Sequence, residues 1–456
     1  MHPIGGAVGR DSGWRDTRLL ARGLSALLVF TVLGQRFALP FGDLALPVSV
    51  LATYVAAGLL LLHGSLRFDA LRTELFVAAM AACYLAAHVA TWQGRPQSLS
   101  SLLLFTGIYL PWMLCVRPRH RQAFHTVATT FLRLMLVLSV VGVGQMLAQV
   151  SGVWPYTDYL ARWLQPEWLL NSYNTSNPIG YLSPIYKANA FVFLEPSFLS
   201  QFCALALLLA LMLRRPAWQL MLLGAGVAAS LSGTGILLLG FGLVLTALHA
   251  PTVLRPRYLA AGLLTLVVVL VSPVGSLLIA RSGEVVTQGS SGYLRFVQPY
   301  TEVATGLAQD GRRYVVGAGP GTADRVLTSD RFGGAAVVYT IPAKLLFEYG
   351  VIAASFVLLF FLVSVYRGSP LPVIASALLS MVFLLSGALL QPHTAYLAWL
   401  LSSVWGEGRT SRRALATTPP PSRLPAREPA PSRRPERQPP AHPRPPAAGR
   451  GAPAPR

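Results

Sequence analysis

Twelve long apolar stretches divide this chain, and they constrain its fold more than any other feature. Of the 456 residues, 53% are hydrophobic and 12% are charged, whereas soluble domains carry roughly a quarter charged residues. A hydrocarbon core of about 30 Å needs about 20 apolar residues per helix. The predicted membrane spans lie near residues 19–34, 44–63, 74–92, 101–116, 124–149, 193–213, 216–231, 234–250, 258–280, 341–366, 371–390 and 395–406.

The sequence therefore predicts an all-α integral membrane protein with about twelve transmembrane helices. Continuous apolar runs without period-2 alternation do not fit a transmembrane β-barrel. The last run is short and the turn at Ser232–Thr234 is tight, so counts of eleven and ten spans remain open.

Arginines in the short loops predict the orientation, because cytoplasmic loops carry an excess of Lys and Arg. With twelve spans, one side of the membrane receives Arg10, Arg15, Arg18, Arg67, Arg72, Arg117, Arg119, Arg121, Arg214, Arg215, Arg255, Arg257, Arg367 and the tail. The short loops on the other side offer Arg36 and Arg95. We therefore expect a multi-pass protein of the cytoplasmic (inner) membrane with both termini cytoplasmic. Loops 150–190 and 281–340 are then periplasmic or extracellular.

Two regions divide the chain: a membrane domain at 1–407 and a tail at 408–456. The first apolar run follows basic residues without a small-residue cleavage site, which indicates a signal anchor. Eleven arginines against Glu428 and Glu436 give the tail +9 of the formal charge of +20 (11 − 2 = 9). The tail consists mostly of Pro, Arg, Ala and Ser, which cannot bury enough apolar surface to form an ordered structure, so we expect it to be disordered. Because it is basic, we also expect it to be attracted to anionic lipid headgroups. RNA binding and polyproline recognition are weaker alternatives for the function of the tail.

The three cysteines lie inside predicted spans, which indicates that they pack in the core.

Glu195 is the leading candidate for chemistry, because ionisable groups at membrane depth are costly and usually functional. It stands in Ala-Phe-Val-Phe-Leu-Glu195-Pro196-Ser197. An acidic residue before a proline is also a good helix start. Simple capping does not explain the five apolar residues before it, so we favour a general base.

Loop 281–340 contains the second candidate, Arg295, and a glycine-rich stretch, Gly317-Ala-Gly319-Pro-Gly321. An arginine fork suits a diphosphate because it makes bidentate, charge-assisted hydrogen bonds. The glycines allow backbone N–H groups to approach an anion. Any single arginine here also fits an ordinary solvated loop. No Rossmann context surrounds the glycines, which excludes dinucleotide binding.

Several absences narrow the function. The sequence has no Asp-x-Asp, no His/Cys cluster with metal-ligand spacing and no P-loop, so we expect neither a metal nor a cofactor. His393 lies in an outer turn and alone resembles a helix-end histidine, whereas Lys187 is one of two lysines and shortly precedes Glu195. The aromatic residues of loop 150–190 suit the headgroup belt, although such rings also stack on sugars; they are Trp154, Tyr156, Trp163, Trp168 and Tyr173.

Four motifs together resemble the O-antigen polymerase and ligase superfamily of bacterial surface-glycan assembly. They are Phe193-Leu-Glu195-Pro196-Ser197, Ser230-Leu-Ser-Gly-Thr-Gly235, Arg295-x10-Gly306 with Gly317-x-Gly-x-Gly321, and Lys344-Leu-Leu-Phe-Glu348-Tyr-Gly350. The resemblance covers most of residues 20–405. Wzy-type polymerases carry Arg-x10-Gly in a large periplasmic loop, as here. The second copy that many have is missing, because Tyr173 follows Arg162 at that spacing.

The same resemblance distinguishes polymerases from ligases. Ligases usually have a histidine at the end of the large loop, where this chain has Tyr339 and Thr340. Many members also have an arginine beside the Ser-rich turn, where this chain has Gly233. The resemblance therefore favours a polymerase, with the cation beside that turn left unassigned.

The resemblance implies a GT-C-like membrane glycosyltransferase that joins oligosaccharide repeats carried on undecaprenyl diphosphate. The expected catalytic residues are Glu195 as base and Arg295 beside the leaving diphosphate. The expected substrate-binding residues are Lys187, Tyr293, Arg331, Lys344 and His393. Membrane lipids and a chain-length regulator are the other expected partners, and nucleic acid is not expected to bind.

The alternative functions are a ligase that transfers glycan to lipid A core, a lipid-linked oligosaccharide flippase or transporter, and a structural partner of a synthase. The sugar repeat, the linkage and the type of polysaccharide stay open.

Overall fold

A computed structural model describes residues 8–41, 44–95, 97–170, 173–180, 183–272, 292–327, 339–385 and 389–406. The predicted tail at 408–456, the first part of the large loop (281–291) and Arg331 lie outside these residues.

The described chain is a helical bundle with two short two-stranded sheets. The helices are α1 (Val8–Leu33), α2 (Val48–Leu62), α3 (Ala70–Trp92), α4 (Leu99–Tyr109), α5 (Ala123–Val150), α6 (Tyr159–Trp163), α7 (Pro196–Met212), α8 (Ala217–Ala229), α9 (Gly233–His249), α10 (Pro256–Val271), α11 (Tyr293–Phe296), α12 (Gln298–Ala308), α13 (Arg312–Val316), α14 (Ile341–Arg367), α15 (Pro372–Ser380) and α16 (Pro392–Leu401). The strands are β1 (Ala38–Phe41), β2 (Leu44–Pro47), β3 (Leu66–Phe68) and β4 (Leu114–Val116); β1 pairs with β2 and β3 with β4, both antiparallel.

Helix starts follow familiar local chemistry. The side chains of Asp69 and Ser98 accept hydrogen bonds from backbone N–H groups in the first turns of α3 and α4, which satisfies donors that a helix start leaves unpaired. Pro196 and Pro392 lie in the first turns of α7 and α16. Proline suits this position because it has no N–H to leave unpaired.

Among the residues that the structure describes, three helices, α3, α5 and α14, are long and apolar enough to cross a membrane. Seven shorter apolar helical segments of 10–17 residues accompany them, including α7, α8, α9 and α10. Many of their outward side chains are large and apolar; Leu259 and Leu263 on α10, for example, are 61% and 63% exposed. An apolar exterior of this kind is suited to lipid rather than water. The prediction of a helical membrane protein is confirmed, whereas the count of twelve spans and the GT-C-like fold stay predictions.

Helix α7 lies at the centre of the bundle. Its residues from Pro196 to Ala206 are all buried, as expected for a mostly apolar helix enclosed by other helices. Helix α9 packs closely on it through Gly235 and Gly242, where an added Cβ would meet Ser200 and Leu208. Small residues let neighbouring membrane helices approach in this way. Glu195 immediately precedes this central helix.

Polar contacts gather the loops at two ends of the bundle. At the first, called the Arg72 end, β3 pairs with β4, and Arg72 donates to the Ser403 carbonyl. Arg121 Nη2 also donates to the Gly368 carbonyl there, at 3.1 Å.

The second, called the Glu195 end, joins a different set of loops. Arg36 binds Asp158 and Arg95 binds Asp310, both at 2.6 Å. The Ala188 N–H also donates to the Ala229 carbonyl.

Two predicted spans differ from the helices at their ends. The run at 44–63 begins with strand β2, and the run at 101–116 ends in a 3-10 turn and strand β4. Both strands are apolar, so hydropathy alone does not separate them from the adjoining helices. The cysteines Cys83, Cys115 and Cys203 are buried and free, in agreement with a core role.

Candidate active site

Glu195 does not act as a cap for α7. It occupies the N-cap position with extended backbone, yet its side chain makes no capping hydrogen bond to that helix. Its Oε2 instead accepts a hydrogen bond from the Ser197 hydroxyl at 3.0 Å. A quarter of the side chain remains exposed. The carboxylate is therefore partly enclosed, and within the described ranges the Ser197 hydroxyl is its hydrogen-bond donor, which leaves lone pairs for a ligand.

Backbone strain lies just before Glu195. Ala190 and Phe191 have φ of 48° and 61°, a left-handed conformation that costs non-glycine residues roughly 1–2 kcal/mol each. Asn189, fully buried, holds this bend: its amide donates to the Thr175 and Phe193 carbonyls at 3.1 and 3.3 Å. Strain of this kind persists where the surroundings fix it and is common at functional sites.

Arg295 faces Glu195 from the large loop. Its Nη2 lies 3.9 Å from Glu195 Oε2, and 12% of its side chain is exposed. Burial lowers the pKa of Arg295 and the charge of Glu195 opposes this; the guanidinium is still protonated at neutral pH. Its Nε is buried without a hydrogen-bond partner in the described part of the chain. The two predicted catalytic residues therefore lie together, with at least one donor of the arginine uncommitted there.

Gly306 explains the spacing of the Arg-x10-Gly motif. Arg295 belongs to α11, and α12 follows directly and carries Gly306 near its end. An added Cβ on Gly306 would lie 2.8 Å from the Phe347 ring on α14. The glycine lets α12 dock against α14, and the helix then sets the position of the arginine at its other end.

His393 and Tyr173 belong to a group of packed aromatic rings beside Glu195. The His393 ring lies edge-on to Phe198, with centroids 4.6 Å apart, and Tyr173 contacts both rings. Burial raises the pKa of Tyr173, the nearby charge of Glu195 raises it further, and a hydrogen bond with Gln391 opposes both. Among the described residues, His393 Nε2 is buried with no hydrogen-bond partner.

The sequence placed Tyr173 among the aromatic residues that suit the headgroup belt or stack on sugars. It packs inward on Phe198 and His393, whereas Trp154, Trp163 and Trp168 are 40%, 72% and 45% exposed. A tyrosine in an aromatic-rich loop gives no sequence signal for which way it faces.

Lys344 belongs to a separate cluster at the start of α14. Its ammonium binds Asp324 and lies 3.8 Å from Glu348 Oε1. Glu348 is 1% exposed and accepts hydrogen bonds from the backbone N–H groups of Gly321 and Ala323. Backbone N–H groups of the glycine-rich segment and of Ala323 therefore bind the protein's own carboxyl group.

The glycines of this segment are required by close backbone contact. Gly317 has φ 81°, and an added Cβ would lie 2.4 Å from the Glu348 carbonyl oxygen. Gly350, with φ 72°, breaks α14 against Val315 in the same manner. The motif from Lys344 to Gly350 and the glycine-rich segment thus form one packed unit.

The remaining predicted site residues fall in different places. Lys187 is 7% exposed, and its backbone N–H donates to the Asn177 carbonyl. Tyr293 opens α11 two residues before Arg295 and is partly buried. Arg331 lies outside the described residues.

Arg36 and Arg95, the two arginines of the short loops at the Glu195 end, join neighbouring loops to one another. Each donates to one carboxylate and one carbonyl: Arg36 to Asp158 and Phe191, Arg95 to Asp310 and Gly317. These contacts within the protein explain why the two arginines lie in short loops on the side where the sequence predicts few arginines. Sequence reasoning did not identify Asp158 or Asp310 as their partners.

The Ser-rich turn also packs near the start of α7. Ser200 Oγ donates to the Ser232 carbonyl at 3.1 Å, and the Ser232 and Thr234 hydroxyls are 3.1 Å apart.

Within the ranges that the structure describes, no group of three or more His, Cys, Asp or Glu is placed to hold a metal ion.

These features define a helical membrane protein with a polar site, Glu195 and Arg295, at the start of its central helix. The chain belongs to the Wzy-type polysaccharide polymerases: the family model described as WcaD colanic acid polymerase matches residues 24–405. It is accordingly a membrane enzyme, a glycosyltransferase that polymerises polysaccharide, and the resemblance inferred from the four motifs is confirmed. No curated protein matches the chain.

Proposed function

We propose that this enzyme joins oligosaccharide repeats carried on undecaprenyl diphosphate, on the outer face of the cytoplasmic membrane and without a metal ion. The observation that carries the proposal is the approach of Arg295 to Glu195 at the start of α7. One group supplies a base and the other a fixed cation, which are the two functions that transfer from a diphosphate needs.

The reaction is a single displacement. Glu195 takes the proton of an acceptor sugar hydroxyl as its oxygen attacks the anomeric carbon of the donor. The bond from that carbon to the diphosphate oxygen breaks, and the electron pair leaves with the diphosphate. Arg295 stabilises the developing charge. The anomeric centre inverts, and the activated lipid supplies the energy.

Arg295 exchanges partners when substrate binds. In an inverting displacement the base and the leaving group lie on opposite faces of the sugar, and paired catalytic carboxyl groups in inverting glycosidases are about 6.5–9.5 Å apart. The 3.9 Å contact between Arg295 and Glu195 is shorter than that separation. A diphosphate carries more charge than one carboxylate, so it draws the guanidinium away and leaves Glu195 able to accept a proton.

The membrane arrangement follows the two ends of the bundle. We propose twelve crossings by α1 to α5, α7 to α10 and α14 to α16, in a GT-C-like arrangement with cytoplasmic termini. Two observations support the outward position of the Glu195 end. Its two short-loop arginines are each bound to an aspartate. Four other short-loop arginines lie at the Arg72 end: Arg67, Arg117, Arg121 and Arg367.

The size profile of surface glycan tests this function in cells. Glu195→Gln is compared with Glu167→Gln, an exposed glutamate of the outer loop, at equal protein levels. We expect Glu195→Gln to leave single repeats at the surface and Glu167→Gln to keep long chains. Long chains accumulating on lipid diphosphate would instead identify a ligase, and an unchanged profile would refute the site.

A further inference from the structure

We propose that Asn189 is a positioning residue for Glu195 and acts on it through the strained bend at Ala190 and Phe191. The proposal rests on the proposed function, in which Glu195 is the base. Asn189 lies a few residues before Glu195 and is fully buried. It holds the backbone that leads to Glu195, so its effect on the carboxylate is indirect.

The hydrogen bonds of Asn189 cross the bend. Its Oδ1 accepts a hydrogen bond from the Phe191 N–H at 3.0 Å, and its Nδ2 donates to the Phe193 carbonyl at 3.3 Å. The Asn189 carbonyl also accepts a hydrogen bond from the Phe193 N–H at 3.1 Å. One amide side chain supplies both an acceptor and donors, so this single residue binds the backbone within the bend and beyond it.

Two elements that are distant in the sequence fix the same segment. Gln145 on α5 accepts a hydrogen bond from the Asn189 N–H at 3.2 Å and donates to Asn189 Oδ1 at 3.4 Å. From the loop after α1, Gln35 Oε1 accepts a hydrogen bond from the Leu194 N–H at 3.4 Å. The backbone is therefore held at Asn189 and again at the residue directly before Glu195.

The bend keeps strain that glycine would remove. Ala190 and Phe191 have φ of 48° and 61°, a conformation that glycine adopts readily and that is costly for residues with a Cβ. The Phe191 ring stacks near Tyr156, with centroids 6.0 Å apart. A glycine would give the backbone more freedom, whereas these residues restrict it. Strain that the surroundings maintain in this way is common at functional sites.

Placement matters because the proposed base accepts a proton in the chemical step. A general base must come within about 2.6–3.2 Å of the group that it deprotonates, and a misplacement of about 1 Å can cost on the order of 10²-fold in rate. The Glu195 side chain does not cap α7, and Ser197 is its hydrogen-bond donor within the described ranges. The backbone before Glu195 therefore contributes to the position of its carboxylate.

Gln149 provides a matched control. It lies one turn after Gln145 on α5, and both side chains are buried. Gln149 Oε1 accepts a hydrogen bond from the Tyr186 N–H at 2.8 Å, and its Nε2 donates to the Tyr186 carbonyl at 3.1 Å. Tyr186 belongs to the same loop but precedes Asn189. Loss of the Gln149 side chain thus removes similar hydrogen bonds and leaves those of the bend in place.

Steady-state kinetics of the full chain in liposomes, with undecaprenyl-diphosphate-linked repeats, test the proposal. We expect Asn189→Ala to lower kcat by about 10–100-fold. Its KM should stay nearly unchanged, because the chemical step is impaired and binding is not. Gln149→Ala should lower Tm by a similar amount and keep the wild-type kcat. An equal loss of kcat in both variants would overturn the positioning role.

The same substitution in the Glu195→Gln background shows whether Asn189 acts through Glu195. Without the carboxylate, Asn189→Ala should lower kcat no further, since residues that act as a unit are not additive. An equal fold-loss in both backgrounds would overturn the proposal. Wild-type kcat in Glu195→Gln alone would instead refute the proposed function. Should Asn189→Ala fail to fold, Gln145→Ala gives the same comparison against Gln149→Ala.

Discussion

Arg295 Nη2 lies 3.9 Å from Glu195 Oε2, although the two residues come from different loops of the chain. The distance exceeds the 2.7–2.9 Å of a charge-assisted hydrogen bond, so the groups attract one another without being locked together. Glu195 is instead hydrogen-bonded to Ser197 within its own turn. This arrangement suits the proposed roles, with Glu195 as a base held in place and Arg295 as a cation able to move to a diphosphate.

Two substitutions of Arg295 test separately whether polymerisation needs its positive charge and its planar guanidinium. Arg295→Ala should lower the polymerisation rate by about 10²–10³-fold, the usual cost of removing one preorganised electrostatic group. Arg295→Lys keeps the charge but loses the planar fork, so an intermediate rate is expected. Initial rates with lipid-linked repeats measure both. Arg312→Ala, an exposed arginine of the same loop, is the matched control, and equal rates in it and in Arg295→Ala would contradict the role.

Ser197 orients the proposed base. Ser197→Ala removes the hydroxyl that donates to Glu195 Oε2, and a hydrogen bond to a charged group contributes about 1.5–3 kcal/mol. We expect polymerisation to fall about tenfold with normal protein levels. Ser197→Thr retains the hydroxyl and should recover most of the rate. A threonine variant as slow as the alanine variant would argue against orientation by hydrogen bonding.

Gly235 and Gly233 differ by their surroundings although they lie two residues apart. A Cβ on Gly235 would lie 2.1 Å from Ser200 Oγ, whereas a Cβ on Gly233 meets nothing within 4 Å. Gly235→Ala should therefore destabilise the protein by about 1–3 kcal/mol, and Gly233→Ala should be neutral. The Tm values of the two purified variants decide this, and equal Tm values would mean that α9 does not pack on α7 as described.

The Arg36–Asp158 pair should stabilise the two loops that it joins in a pH-dependent way. Burial raises the pKa of Asp158, but hydrogen bonds from Arg36 and Thr175 and the charge of Arg36 lower it overall. A lowered folded pKa gives stability that is present above the ordinary Asp value of about 3.9. That stability is lost as the pH falls through the folded value.

A double-mutant cycle with Arg36→Ala and Asp158→Asn measures this pair. We expect a coupling of about 1–2 kcal/mol at pH 7, shrinking as the pH falls below about 4. Arg162→Ala, at an exposed position in the loop that contains Asp158, should leave Tm unchanged. A coupling that stays constant down to pH 3 would contradict the ion pair.

Hydropathy and arginine placement predicted most of the helices. The run at 216–231 became α8 at Ala217–Ala229, and the run at 341–366 became α14 at Ile341–Arg367. Strands β2 and β4 were missed because they continue apolar runs. Short strands are set by their pairing partners elsewhere in the chain, and a local sequence window does not contain those partners.

The site was predictable where one residue type is costly or unusual. Glu195 was identified from its apolar surroundings and Arg295 from its motif, and the structure places them together. Tyr173 and the binding of Glu348 by the glycine-rich segment were not predicted, because both depend on which loops meet. Lys344 was expected to bind substrate, and its ammonium is engaged with Asp324 and Glu348.

Polymer synthesis by the purified enzyme tests the central claim most directly. The full chain is reconstituted in liposomes with undecaprenyl-diphosphate-linked repeats and a chelator, and product length is followed for wild type, Glu195→Gln and Glu167→Gln. We predict long chains from wild type and Glu167→Gln with the chelator present, and unextended repeats from Glu195→Gln. Chain growth by Glu195→Gln at the wild-type rate would contradict the assignment of Glu195 as the base.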